Sequence, residues 1–219
     1  PQVFAETISR IPQDTIVAYT PPNSGSEELK AAQRADIISP NLEEAAAMVF
    51  EGENLEKYEN AKMFTSDGEG KGVEISEDMN QLVEALRDKF INKDSDVITI
   101  TNGSEGSIAI TQNEVATYKI PQAKKDKLEV ENTIGAGDNF AATFIGDYYN
   151  QRVRGQNINK EFLEDSMERA SNVSAVVIQQ ASTQVPPEHI SSAYKGEEVT
   201  KGKNAGIKPT EREIYKGKQ

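Results

Sequence analysis

The sequence predicts an α/β fold in which helices cover both faces of a mostly parallel sheet. Two observations lead to this class. Short apolar segments alternate with segments of helical character along most of the chain. The most clearly predicted strand, DVITIT at 96–101, is apolar over nearly its whole length, as is typical of strands buried on both faces. At 219 residues the chain is long enough for one sizeable core.

The first part of the chain is predicted to contain two strands with helices beside them. The β-branched segment TIVAY predicts a strand at 15–19, and ADIIS predicts a second one at 35–39, which Pro40 ends. Helices are predicted over 3–10, over 27–35 and from Leu42 to about Phe50.

The second part is predicted to continue this alternation after a charged, glycine-containing segment at 51–72. A helix starting at Ser76 or Glu77 has Leu82, Val83, Leu86 and Phe90 at helical spacing. The later elements are a hairpin of strands at 107–111 and 115–120, a solvated connection at 124–127 (KKDK), a helix at 137–149 and a helix from 160 to about 180.

Composition and charge exclude several classes of protein. The net charge of −12 argues against binding to nucleic acid or to an anionic membrane. The absence of cysteine excludes disulfides and thiolate zinc sites. No apolar run approaches the ~20 residues that span a bilayer, and PQVFAETISR lacks the pattern of a signal peptide. We therefore expect a soluble, cytoplasmic protein with one domain over 1–194 and a polar, extended or disordered tail over 195–219.

The segment NTIGAGDNF, 132–140, carries the clearest chemical signal. Its residues Gly135, Ala136 and Gly137 fall in the turn that opens the next helix, where unpaired N–H groups and the helix dipole favour an anion. Asp138 follows in the first helical turn, where a carboxylate can accept a proton from a hydroxyl nucleophile. The alternative is a tight loop with Asp138 as an N-terminal cap residue, and spacing alone leaves both open.

Two further segments follow predicted strands. In SPNLEE, 39–44, Asn41 and Glu44 are placed to contact a metal-bound phosphate, with Glu44 reaching Mg²⁺ through water. The alternative is a capping box at the start of a helix. In TNGSEGS, 101–107, the glycines would let a nucleotide lie against the strand end, although the segment also suits a hairpin connection.

Together, PNLEE, ITNGSEG and NTIGAGDNF resemble the N-x-x-E motif, the nucleotide loop and the D-T-x-G-A-G-D signature of the ribokinase (pfkB) family of sugar and nucleoside kinases. The similarity runs from about Thr15 to Pro187. It implies a ribokinase-like three-layer α/β/α sandwich. It also implies ATP-dependent transfer of the γ-phosphoryl group to a hydroxyl of a small sugar. A nucleoside kinase of the adenosine type and a catalytically inactive kinase-like scaffold are the alternatives.

The resemblance also implies site residues and cofactors. Asp138 would be the base, the amides of 135–137 the anion hole, and Asn41 and Glu44 the Mg²⁺–phosphate neighbourhood. The residues that would line ATP are Asn41, Thr101, Gly103, Gly106 and, near the adenine, Asn172 or Ser171. ATP and Mg²⁺ are therefore the expected cofactors.

The chain departs from the family pattern in three places, one of which is Ala181-Ser182 where the Gly-Ala after the last helix usually stands. Asn132 stands where most members carry an aspartate that binds a monovalent cation, so the loss of its charge puts activation by potassium in doubt. Nothing before Thr15 resembles the N-terminal strands, the lid and the Gly-Gly signature of the family. The expected partners are a small sugar or nucleoside, together with either a second copy of the chain or a separate N-terminal portion.

Overall fold

The computed structural model describes residues 11–12, 14–21, 32–65, 67–92, 96–180 and 185–197, apart from the side chains of 53 and 54. The described strands are β1 (Ala18–Tyr19), β2 (Ile37–Ile38), β3 (Gly70–Lys71), β4 (Val97–Asn102), β5 (Gly106–Ile110) and β6 (Val115–Lys119). They form one open sheet with the order β1-β2-β4-β5-β6-β3.

The described helices are α1 (Leu42–Ala47), α2 (Glu53–Glu56), α3 (Glu77–Phe90), α4 (Gln122–Lys125), α5 (Ala136–Val153), α6 (Lys160–Ile178) and α7 (Pro187–Tyr194). Helix α3 shows how the sequence sets these boundaries. The Ser76 hydroxyl accepts a hydrogen bond from the Met79 amide, and Glu77 and Asp78 follow in the first turn, where the helix dipole favours negative charge. Within the described part of the chain, none of the helices combines the length and the apolar character needed to cross a bilayer.

Strand directions correct the prediction of a mostly parallel sheet. Strands β1, β2 and β4 are parallel to their neighbours, whereas the pairs β4–β5, β5–β6 and β6–β3 are antiparallel. The connections at 103–105 and 111–114 explain the difference, because so few residues can join antiparallel neighbours but not parallel ones. The sheet is therefore mixed, with its parallel half on the β1 side.

The two faces of the sheet carry separate hydrophobic clusters. Along β4, Ile98 and Ile100 belong to the cluster that α1 and α3 cover, whereas Val97 belongs to the cluster that α5 and α6 cover. The same alternation occurs in β5, where Ile108 faces one layer and Ala109 the other. Because successive side chains of a strand point to opposite faces, helices pack on both sides. This arrangement confirms the predicted three-layer α/β/α fold.

Most predicted elements are present with shifted ends. The helix from Glu77 and the hairpin of 107–111 with 115–120 are confirmed, and the predicted helix at 137–149 is longer at both ends. Strands β1 and β2 are shorter than predicted, and α1 ends three residues before Phe50.

Other predictions are wrong or fall outside the described residues. The segment at 66–72, whose sequence SDGEGKG is typical of a solvated loop, contains β3. The predicted helix at 3–10, most of the one at 27–35 and the tail from 198 onward lie outside the described residues.

Candidate active site

The first two motifs meet at the carboxyl end of the parallel strands. Asn41, three residues after β2, pairs with Thr101 of β4 in an isolated parallel bridge. The Thr101 amide donates to the Pro40 carbonyl at 3.2 Å. Parallel pairing thus places the SPNLEE and TNGSEGS segments side by side, at the edge where open α/β sheets bind ligands.

The third motif closes a cavity against the first two. This cavity, which we name the Asp138 cavity, has a volume of about 330 Å³. It is lined by Thr20, Pro21, Ser39, Asn41, Glu44, Thr101, Gly135, Gly137, Asp138 and Ala141. Segments separated by about a hundred residues in sequence therefore share one space.

The loop before α5 leaves three backbone amides, those of Gly135, Gly137 and Asp138, available to a ligand. Gly135 caps the helix with φ 81° and ψ 0°, a left-handed conformation that favours glycine. The Ala136 amide donates to the Thr133 carbonyl at 3.2 Å, and the Asn139 amide donates to the Gly135 carbonyl at 3.0 Å. The amides of Gly135, Gly137 and Asp138 have no acceptor among the described residues, as expected at the start of a helix.

The Asp138 side chain is not the cap of this helix. Gly135 occupies the N-cap position, and no side chain caps the helix. Asp138 is exposed, lines the Asp138 cavity and has no hydrogen-bond partner among the described residues. Its carboxylate can therefore accept a proton from a bound hydroxyl without first giving up another contact.

Asn41 and Glu44 form the capping box that sequence reasoning held as an alternative. The Asn41 side-chain oxygen accepts from the Glu44 amide at 2.8 Å, and Glu44 Oε2 accepts from the Asn41 amide at 2.9 Å. Both residues also line the Asp138 cavity, so capping fixes them in place without removing them from it. Glu44 Oε1 has no partner among the described residues.

This donor set suits magnesium better than a metal held by protein ligands alone. No group of three His, Cys, Asp or Glu side chains that could hold a metal occurs among the described residues. Mg²⁺ is usually held by one or two carboxylates together with waters and substrate phosphates. Glu44, which has a free carboxylate oxygen, and Asp138 both line the same cavity, so the residues present fit a magnesium ion held in this way.

A second cavity adjoins the first, and we name it the Asn172 cleft. It has a volume of about 540 Å³ and lies between β4–β5, α4 and the facing sides of α5 and α6. Thr101 and Gly137 line both cavities, so the two spaces adjoin at these residues. Of the predicted nucleotide residues, Thr101, Gly103, Gly106, Ser171 and Asn172 line the cleft, whereas Asn41 lines only the Asp138 cavity.

The glycines of the second motif have structural reasons of their own. At Gly106, with φ 138°, an added Cβ would lie 2.0 Å from the Tyr118 carbonyl oxygen, so β6 approaches too closely for any side chain. Gly103, with φ 47°, turns the chain between β4 and β5 and faces open space. The hairpin connection that this segment also suited is therefore confirmed.

Sequence reasoning missed Lys124. The KKDK segment is not a wholly solvated connection, because it begins within α4 and the Lys124 ammonium group is bound from three sides. It donates to the Tyr118 hydroxyl at 2.9 Å, to Glu168 Oε1 at 3.1 Å and to Asn172 Oδ1 at 3.1 Å. Glu168 and Asn172, both on α6, lie 44 and 48 residues further along the chain, so no local sequence pattern indicates these contacts.

Asn132, the departure from the signature, is part of the loop's internal bonding. Its side-chain oxygen accepts from the Ile134 amide at 2.9 Å, and its own amide donates to the Ile178 carbonyl at 3.1 Å. Asn132 thus fixes the GAGD loop against the end of α6.

Comparison with known proteins identifies the family. A sequence model of the pfkB family carbohydrate kinases matches residues 2–190. The chain belongs to the pfkB family. This membership agrees with the order of the three motifs and with their convergence on one site.

Solved structures with the same fold include sugar and nucleoside kinases. A ribokinase of Arabidopsis thaliana, complexed with ribose and ATP, is 18% identical with a TM-score of 0.59, over 88% of this chain and 52% of that one. An adenosine kinase of Sinorhizobium meliloti is 19% identical with a TM-score of 0.57, over 89% of this chain and 49% of that one. The chain of this pfkB member therefore spans about half the length of these structures.

Proposed function

We propose that this chain supplies the nucleotide site and the catalytic carboxylate of a kinase that transfers the γ-phosphoryl group of ATP to a hydroxyl of a small sugar. One observation carries the proposal. The Asp138 carboxylate, the free amides of the GAGD loop and the Asn41–Glu44 pair all border one cavity, which adjoins a cleft of a size suited to a nucleotide.

The Asn172 cleft and the Asp138 cavity bind different parts of ATP in this proposal. The Asn172 cleft takes the base and ribose, with Thr101, Gly103 and Gly106 along its wall and Asn172 beside the adenine. The triphosphate extends past Thr101 and Gly137 into the Asp138 cavity. There the backbone amides of Gly135, Gly137 and Asp138, which have no acceptor among the described residues, form the anion hole, whereas the Ala136 amide already donates to the Thr133 carbonyl.

Asp138 acts as the general base. It accepts the proton as the O–H bond of the sugar hydroxyl breaks, and the hydroxyl oxygen forms a bond to the γ-phosphorus. The bond from the γ-phosphorus to its bridging oxygen breaks, and ADP leaves with the electron pair. Glu44 would hold Mg²⁺ through water and Asn41 would contact the phosphates beside it, and the ion would supply positive charge near the phosphate oxygens.

The description of the matching family as carbohydrate kinases favours a sugar as the acceptor. A nucleoside is the second candidate, because the same fold occurs in adenosine kinases. A panel of both substrate types separates the two.

The test is ADP release from Mg·ATP with a panel of pentoses, hexoses and nucleosides. Asp138→Asn should lower turnover by about 10²- to 10⁴-fold, the usual contribution of a general base, while ATP binding persists. The matched control is Asp88→Asn, which removes an exposed carboxylate from α3, outside both cavities. Equal turnover of Asp138→Asn and the wild type would contradict the proposal.

A kinase-like scaffold would behave differently. It would show no turnover with any acceptor and no stabilisation by Mg·ATP, and neither property would respond to changes at Asp138.

A further inference from the structure

The polar cluster around Lys124 lies at the wall of the Asn172 cleft, away from the reacting phosphate. Lys124 contacts three oxygens, which belong to the Tyr118 hydroxyl, Glu168 and the Asn172 side chain, all at 2.9–3.1 Å. An ammonium group has three N–H donors, so these contacts use all of them. Lys124 therefore has no donor left for a ligand and acts through its neighbours.

The contact with Lys124 fixes how the Asn172 amide is turned. An ammonium group only donates, so the atom facing it must be the amide oxygen, as the 3.1 Å contact to Oδ1 shows. The NH₂ group of Asn172 has no acceptor among the described residues, and the residue lines the cleft. Two N–H donors are thus available to a bound molecule.

The cluster makes further contacts with β6, β3 and α6. Tyr118 is only 1% exposed, and its ring lies 5.6 Å from the Lys124 ammonium nitrogen. Glu168 accepts from Lys124 and also pairs with Lys71 of β3 at 3.0 Å, while Lys71 contacts Asp165 at 2.6 Å. The lysine is therefore anchored to β6, to α6 and, through Glu168, to the edge strand.

The directions in which the pKa values of Lys124 and Glu168 shift agree with these contacts. Burial acts to lower the pKa of Lys124, but its contacts with Tyr118 and Glu168 outweigh burial and raise that pKa. Burial acts to raise the pKa of Glu168, but Lys71 and Lys124 lower it overall. Both groups stay charged at neutral pH, so the orientation of Asn172 is maintained.

We propose that Lys124 is a positioning residue that sets the base preference of the cleft by presenting the NH₂ group of Asn172 to the nucleotide. The proposal rests on the proposed function, since it requires a nucleotide in the Asn172 cleft. A fixed pair of donors favours a base with an acceptor at the facing edge, and it disfavours a base with a hydrogen or a donor there. The ring nitrogens of a purine provide such acceptors.

The experiment measures equilibrium binding of nucleotides to the full 219-residue chain by calorimetry. The ligands are Mg·ATP and its 1-deaza, 3-deaza and 7-deaza analogues, each of which replaces one ring nitrogen by C–H. The wild type should bind one analogue about 3- to 10-fold more weakly than ATP, as the loss of one hydrogen bond predicts. The ratio of the two dissociation constants is the quantity to compare among variants.

Lys124→Met keeps a long side chain but removes the donor that holds Asn172, so this ratio should fall to within about 2-fold of one. Lys124→Arg keeps the cation and should retain at least part of the discrimination. Lys125→Met is the matched control, since Lys125 lines the same cleft and carries the same charge but has no side-chain partner among the described residues. It should change all affinities by a common factor and leave the ratio as in the wild type.

Asn172→Ala should abolish the discrimination, and combining it with Lys124→Met should change the ratio no further, because both act through one amide. Nucleotide binding with an unchanged ratio in Lys124→Met would overturn this inference alone. Equal binding of all analogues by the wild type would also overturn it. Failure of the wild type to bind any nucleotide would overturn the proposed function as well.

Discussion

Two aspartates on the same helix, α5, have opposite surroundings. Asp138 in the first turn is exposed and borders a cavity, with no partner among the described residues. Asp147, nine residues on, is 6% exposed. It accepts from the Ser166 hydroxyl and from Arg169 Nε, each at 2.8 Å, and from the Tyr194 hydroxyl.

The difference separates an open first turn of the helix, where polar groups lack partners, from a structural region further along it. Asp147 joins α5 to α6 and α7, and every one of its contacts lies within the protein. At the start of the helix, the Asp138 carboxylate and three backbone amides have no hydrogen-bond partner among the described residues. Polar groups that a fold positions but leaves unpartnered are the ones available to a substrate.

The largest expected effect on stability comes from removing the buried carboxylate of Asp147. Asp147→Ala leaves Arg169 half-buried without its carboxylate and removes the acceptor of a fully buried hydroxyl, so the free energy of unfolding should fall by about 3–5 kcal/mol. Urea denaturation measures the change. Asp138→Ala is the companion variant, and its effect on the same quantity should stay within about 0.5 kcal/mol. Similar losses in both variants would remove the distinction between the open first turn and the structural region.

A smaller change tests one partner of Asp147. Burial first, and then the hydrogen bond and the charge of Asp147, raise the pKa of Tyr194. A raised pKa in the folded state means that the contribution to stability is complete below the unfolded-state pKa, about 10, and is lost as the pH rises through the folded-state pKa. Tyr194→Phe should lower the free energy of unfolding by about 1 kcal/mol at pH 7.

Above pH 10 this loss should shrink, because the wild type also loses the contact there. Denaturation of both proteins from pH 7 to 11 checks the prediction. A difference between them that stays constant over this range would show that the hydrogen bond to Asp147 is not responsible.

A further pair of variants concerns Asn41 and Glu44, which form the capping box of α1 and line the Asp138 cavity. Asn41→Ala removes the cap of α1 and should cost about 1 kcal/mol of stability. Glu44→Gln keeps an oxygen that can accept from the Asn41 amide, so stability should change by less than about 0.5 kcal/mol.

The effects on magnesium dependence should be in the opposite order, with the larger effect in Glu44→Gln. Glu44→Gln loses the carboxylate and should need several-fold more Mg²⁺ for the same ATP affinity. Titration with Mg²⁺ at fixed ATP measures this requirement. An unchanged requirement in Glu44→Gln would remove Glu44 from the proposed metal neighbourhood.

The parts of the site that could be predicted from the sequence are those set by residues close together in the chain. Gly135 and Asp138 stand at the start of an apolar helix, and the Asn41–Glu44 spacing itself encodes a helix start, so their placement followed from neighbouring residues. The α/β class and the two covered faces followed from the alternation of strands and helices. The roles of Gly135, Asp138, Asn41 and Glu44 in catalysis stay predictions.

What could not be predicted depends on contacts between distant segments. Lys124 is bound by residues of α6 that are 44 and 48 positions away, and a charge run carries no information about such partners. Thr20 and Ser39 reach the Asp138 cavity because β1 pairs in parallel with β2, and β2 pairs in parallel with β4. The reason for glycine at position 106 is the approach of the Tyr118 carbonyl from the neighbouring strand.

Mg·ATP-dependent stabilisation of the 219-residue chain tests most directly whether the open end of α5 and its cleft form a nucleotide site. A ligand at a hundred times its dissociation constant stabilises the folded state by about 2.7 kcal/mol. We expect the melting temperature to rise with Mg·ATP in both the wild type and Asp138→Asn, and to rise less with ATP in the presence of a chelator. An unchanged melting temperature of the wild type at millimolar Mg·ATP would contradict the account.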